Sequence, residues 1–71
     1  MAPVHKFFLR NDPDRSVQDR ILGVLKESGR GLATIEREGR FSVLYVEHVS
    51  DVELVKRMFA DAIDAEADLT E

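Results

Sequence analysis

The sequence predicts a small α+β domain with the element order β-α-β-β-α: a three-stranded, antiparallel-type sheet in the order 1-3-2 with two helices on one face. Three observations predict this class. Residues 41–49 are the best strand pattern in the chain, because β-branched and aromatic residues dominate and no Pro or Gly interrupts them. Apolar residues recur at helical spacing over residues 17–25. A capping-box pattern at Ser50 and Glu53 opens a second helical stretch.

The first half of the chain supplies one strand and one helix. Residues 4–10 are predicted to be the first strand. The helix that follows begins either at Asp12, with Pro13 in the first helical position, or at Ser16. Gly29 is the expected end of this helix, because glycine commonly follows the last helical residue.

The remaining strands complete the predicted sheet. Residues 31–37 are the second strand, and a two-residue turn at Glu38 and Gly39 joins it to the third. The first strand lies beside the third, antiparallel to it, with His5 near His48. This register places six apolar residues on the helix side: Phe7, Leu9, Ala33, Ile35, Leu44 and Val46. The arrangement resembles a ferredoxin-like split βαβ unit that lacks its fourth strand, which leaves the outer edge of the first strand open.

The C-terminal end of the chain is acidic. Residues 46–71 carry two Lys or Arg against eight Asp or Glu, whereas residues 1–45 carry eight against six. Carboxylates near a helix C-terminus oppose the helix dipole, and the apolar residues there shrink to alanine and one leucine. We therefore expect a single domain over residues 1–71 in which residues 65–71 form a frayed acidic tail.

The sheet face away from the helices is predicted to be an uncovered apolar strip with a charged rim. Exposed apolar patches of this kind commonly mark interfaces. Chains below about 70–80 residues usually need disulfides, a metal or association for stability, and this chain of 71 residues has no Cys. The candidate partner-binding residues on this face are Lys6, Phe8, Leu32, Phe41, Val43, Tyr45 and Glu47.

These features favour a non-enzymatic protein-interaction module that binds a protein partner, a second copy of itself, or both. A specific version is a small acidic inhibitor of the kind phages encode, which blocks a nucleic-acid-handling complex. Its additional binding residues would be four carboxylates of the acidic half: Asp61, Asp64, Glu66 and Asp68. Nucleic acid itself is disfavoured as a partner, because the net charge is −4 and the basic residues are scattered.

Residues 21–29, after Asp12 and Pro13, resemble the first helix of ACT-type regulatory domains. Those domains are ferredoxin-like, dimerise through their sheets, and often bind amino acids near the loop between the first strand and the first helix. The resemblance implies an alternative function, a regulatory domain that binds a small ligand through Asn11, Asp12 and Asp14. The chain departs from the family at Asp14, where those domains usually carry Gly.

Motifs for catalysis are absent from the sequence. It contains no Walker loop, no nucleophile elbow, no HExxH pattern and no EF-hand loop. His5 and His48 are either a metal or proton-transfer pair or two histidines with solvent-exposed tips, and we favour the second because no third ligand is evident. We expect no enzymatic activity, no cofactor and no metal. We also expect a cytoplasmic protein, since neither a signal-peptide pattern nor an apolar run of about 20 residues occurs.

Overall fold

The structure, a computed structural model, describes residues 2–69. The elements in chain order are β1 (His5–Leu9), α1 (Arg15–Ser28), β2 (Ala33–Glu38), β3 (Phe41–Val46), α2 (Val49–Met58), a 3₁₀ turn (Ala60–Ala62) and β4 (Ile63–Asp68). The four strands form one antiparallel sheet in the order β2-β3-β1-β4. Both helices contribute to a core on one face of this sheet, which is the arrangement of ferredoxin-like folds.

The α+β class and the neighbours β1, β3 and β2 agree with the prediction, but the three-stranded sheet is wrong. A fourth strand, β4, occupies part of the segment expected to fray, and it pairs with β1 on the edge expected to be open. The sequence hides this strand because Asp, Glu and Ala alternate over residues 64–68, and these residue types are depleted in strands. Residues 70 and 71 of the expected tail lie outside the described residues.

Local capping decides where α1 begins and ends. The helix starts after Asp14, not at Asp12 or Ser16, because the Asp14 carboxylate accepts a hydrogen bond from the Val17 N–H at 3.0 Å. Gly29 ends the helix as predicted. The predicted start was wrong because Asp12, Asp14 and Ser16 can each cap a helix. The path of the preceding loop determines which of them does so.

Both predicted registers are shifted by two residues, and the predicted faces are nevertheless right. The two-residue turn begins at Gly39 rather than Glu38, and Gly39 has a φ of +62°, as the first central residue of a type II′ turn requires. Similarly, His5 lies opposite Val46 rather than His48. Side chains alternate with a period of two along a strand, so a shift of two residues returns each side chain to its face.

The core lies between the helices and one face of the sheet. Its centre is made of side chains that are at most 8% exposed: Phe7, Leu9, Ile21, Leu25, Leu44, Val46, Val52 and Val55. Ala33 and Ile35 of β2 pack against this centre from the edge of the sheet. The six residues predicted to face the helices therefore all do so.

The start of α2 is tied to the loop between α1 and β2. His48 rather than Ser50 caps the helix, because its Nδ1 accepts a hydrogen bond from the Ser50 N–H at 3.1 Å. Asp51, 1% exposed, accepts hydrogen bonds from the backbone N–H groups of Arg30 at 2.9 Å and Gly31 at 3.0 Å. A buried carboxylate without partners would be costly, so these bonds hold the loop against the helix.

Candidate partner-binding surface

The sheet face opposite the helices has no second layer within residues 2–69, and we call it the open face. Strand alternation and the observed pairings determine its members. They are Lys6, Phe8, Thr34, Glu36, Glu38, Phe41, Val43, Tyr45, Ala65 and Ala67. Five of the seven predicted partner-binding residues are in this set.

The open face has a sealed centre and an exposed margin. Val43 is 0% exposed although no helix covers it, whereas Phe41 on the same strand is 45% exposed. The Lys6 ammonium lies 5.1 Å from the Phe8 ring centroid and 3.7 Å from the Glu38 carboxylate. Because β3 lies between β1 and β2, this ion pair spans β3 on the open face. At 0% exposure, Val43 is the floor of the open face and is not available to a partner.

Large aromatic side chains occupy one part of the open face and small side chains occupy another. The Phe8 and Phe41 rings form an edge-to-face pair, with centroids 5.7 Å apart and ring planes at 78°. Tyr45 is half-buried further along β3. On the β4 side the face carries only the methyl groups of Ala65 and Ala67. A partner would therefore contact the raised rings of Phe8 and Phe41 on one side and the lower surface formed by Ala65 and Ala67 on the other.

Leu32 and Glu47 lie at the end of the sheet, just outside the assigned strands. The Glu47 N–H donates a hydrogen bond to the Leu32 carbonyl at 3.1 Å. Leu32 is 70% exposed and lines a groove between α1 and the beginning of β2, here called the α1–β2 groove. Sequence reasoning missed this groove; the available signal was the pair of glycines, Gly29 and Gly31, between a helix and a strand.

The acidic residues of the second half do not form one free surface. Asp64 lies 3.7 Å from Arg10, and Glu66 contacts Lys56 at 3.2 Å and His5 at 2.9 Å. Burial alone would raise the pKa of Glu66, but hydrogen bonds from Lys56 and His5 outweigh it and lower the pKa below its ordinary value. The four predicted carboxylates are spread over the 3₁₀ turn and β4: Asp61, Asp64, Glu66 and Asp68.

The predicted ligand loop between β1 and α1 is tied to the β2–β3 hairpin. Asn11 and Asp12 have positive φ angles of 61° and 42°, which are uncommon outside glycine. The Asp12 carboxylate accepts hydrogen bonds from Arg37 at 2.9 Å and Ser42 at 3.0 Å, and these bonds lower the pKa of Asp12. Asp14 caps α1. Two of the three predicted ligand-binding side chains are thus already engaged within the chain.

The two histidines are not cross-strand neighbours, contrary to the prediction. His5 contacts Glu66, and its ring centroid lies 4.8 Å from that of Phe7, whereas His48 caps α2. Among residues 2–69, no three His, Cys, Asp or Glu side chains are grouped so as to hold a metal ion.

The comparisons and the fold define the chain only as a class of structure. A scan against protein-family models, a search of curated proteins and a search of solved structures each find no match. The helices in the part of the chain that the structure describes are all too short or too polar to cross a membrane. The class is a small α+β domain of ferredoxin-like arrangement with one uncovered sheet face.

Proposed function

We propose that this chain is a non-enzymatic protein-interaction module whose partner covers the open face. The observation that carries the proposal is the exposure of Phe41, which is 45% exposed at the margin of the open face beside the Phe8 ring. Antiparallel sheets that face water on one side normally alternate between apolar and polar residues. Here the water-facing side presents an aromatic pair and two alanines, so covering it removes apolar surface from water.

The margin of the open face supports the same proposal. Lys6 and Glu38 neutralise each other across the face, and Thr34 and Glu36 line its β2 side. An apolar centre with a polar rim is typical of protein interfaces. The acidic-inhibitor version has less support than the open face, because Asp64 and Glu66 already form ion pairs within the chain.

Two exposed hydrophobic residues provide a matched test. Phe41 is 45% exposed on the open face, and Met58 is 53% exposed at the end of α2. We expect Phe41→Asp to abolish association and Met58→Asp to leave it intact. Sedimentation velocity of the pure protein measures self-association. Affinity capture from the native cell extract, with quantitative mass spectrometry, measures association with other proteins.

The outcomes separate cleanly if both variants retain the circular dichroism spectrum of the unchanged chain. Loss of self-association in Phe41→Asp alone identifies a second copy as the partner, and loss of a captured protein identifies a different chain. A monomeric protein whose Phe41→Asp variant captures the same proteins as the unchanged chain would overturn the proposal.

A further inference from the structure

The α1–β2 groove is a second surface, distinct from the open face. It has a volume of about 460 Å³ and lies between the second half of α1 and the beginning of β2. Apolar side chains of Leu22, Leu25 and Ala33 line it, and Leu32 at its margin is 70% exposed, the joint highest exposure among the large hydrophobic residues of the described chain. The groove therefore offers apolar surface directly beside a sheet edge.

The backbone of β2 points hydrogen-bonding groups toward this side. The Leu32 carbonyl accepts a hydrogen bond from Glu47, so the backbone groups of Leu32 face β3. In an antiparallel pair these groups alternate from residue to residue. The N–H and C=O groups of Ala33, Ile35 and Arg37 therefore point away from β3. β2 is an edge strand of the sheet, so no strand among residues 2–69 pairs with them.

The two edges of the sheet are protected to different degrees. The β4 edge has an irregular register opposite Phe8 and Leu9, and every second residue over 64–68 is acidic. Both features discourage the addition of another strand. On β2 the charged residues begin only at Glu36, and residues 32–35 carry no charge. The unprotected stretch of β2 is the stretch that borders the groove.

The rim of the groove is basic although the whole chain has a net charge of −4. Lys26 and Arg30 both line it, and neither forms an ion pair with a carboxylate among residues 2–69. The backbone of Arg30 is held in place by Asp51. Within the described residues these two cations thus lie at the rim of an apolar groove without a carboxylate partner, which favours an occupant that carries acid as well as apolar side chains.

We propose that β2 accepts an extended acidic peptide of another protein as a fifth strand. Its backbone pairs with the outward groups of Ala33, Ile35 and Arg37. An apolar side chain enters the α1–β2 groove, and a carboxylate of the same peptide face reaches Lys26 and Arg30. Strand addition supplies affinity through the main chain, and side-chain pockets supply specificity.

Selection from a surface-displayed library of random octapeptides tests this inference with the full chain as bait. We expect enrichment of peptides with an apolar and an acidic residue two positions apart, because alternate side chains share one face of a strand. A synthetic copy of an enriched peptide should shift the backbone amide resonances of Ala33, Ile35 and Arg37. N-methylation of its alternate amides should abolish binding.

Charge reversal at the rim provides the matched comparison. Lys26→Glu with Arg30→Glu should weaken binding of the enriched peptide about tenfold, since two exposed charge pairs are lost. Arg20→Glu with Arg57→Glu changes the net charge equally, lies outside the groove and should leave binding unchanged. Absence of enrichment, equal binding by both double variants, or amide shifts confined to the open face would each overturn the inference. None of these outcomes bears on the matched test at Phe41.

Discussion

The two faces of the sheet are built from similar residues and lie in different surroundings. On the helix side Phe7 and Leu44 are 0% exposed, whereas Phe41 on the open face is 45% exposed. What differs is the layer above: two helices pack on one side, and no second layer within residues 2–69 packs on the other. An apolar pattern along a strand therefore shows which side chains can be buried, and tertiary contacts decide which of them are. Val43 of the open face is 0% exposed without a helix above it, whereas Phe41 is not buried.

The sharpest way to break this comparison is to truncate the same residue type on each face. Phe7→Ala should cost about 3–5 kcal/mol of unfolding free energy, because it empties a fully enclosed site. Phe41→Ala should cost about 1 kcal/mol, since much of its ring is already in water. Urea denaturation followed by circular dichroism measures both losses. Equal losses would show that the open face is as enclosed as the core.

Removing a buried carboxylate should also cost more unfolding free energy than neutralising an exposed one. Asp51→Ala should cost about 2–4 kcal/mol, because it leaves the Arg30 and Gly31 N–H groups without their buried acceptor. Glu38→Gln, which removes the charge of the exposed pair with Lys6, should cost at most about 0.5 kcal/mol. Thermal and urea unfolding of both variants provide the comparison. A larger loss from Glu38→Gln would contradict the argument that burial sets the value of each contact.

Two glycines sharpen the comparison at a smaller scale, because neither has other atoms within 4 Å of an added Cβ. Gly23→Ala in α1 should raise stability by about 0.5–1 kcal/mol, because alanine favours the helix and reduces the entropy of the unfolded chain. Gly39→Ala should destabilise by about 1 kcal/mol, because its φ of +62° strains any residue with a Cβ. Differential scanning calorimetry gives both shifts. A loss of stability in the Gly23→Ala variant would contradict the absence of neighbouring atoms around the Cβ position of residue 23.

The smallest expected effect is a loss of folding stability at acidic pH. Asp12 and Glu66 both have pKa values below their ordinary 3.8 and 4.5, so each stabilises the fold above its ordinary pKa. This stabilisation is lost as the pH falls through the lowered values of the folded state. Between neutral and acidic pH, the melting temperature of the double variant Asp12→Asn with Glu66→Gln should therefore fall by less than that of the unchanged chain. Parallel pH profiles for the two proteins would show that neither carboxylate contributes.

The candidate surface could be predicted in large part from strand patterns. Phe8, Phe41 and Tyr45 were placed on the open face by alternation alone, and a two-residue error in register did not move them. Val43 could not be recognised as sealed, because its burial depends on side chains of neighbouring strands that are distant in sequence. The α1–β2 groove likewise depends on contacts between a helix and a strand whose spacing no local pattern specifies.

The sequence by itself determined the presence of two helices, three of the strands, and the side of the sheet faced by the apolar residues within those three strands. These features follow from periods of 3.6 and 2 that local residue types impose on the chain. Only the tertiary structure decided that residues 63–68 form a strand, since their alternating acids and alanines become a strand when β1 offers an unpaired edge. The pairing of β1 with β4 joins residues about sixty positions apart, so the strand propensities of a short stretch of sequence cannot predict it.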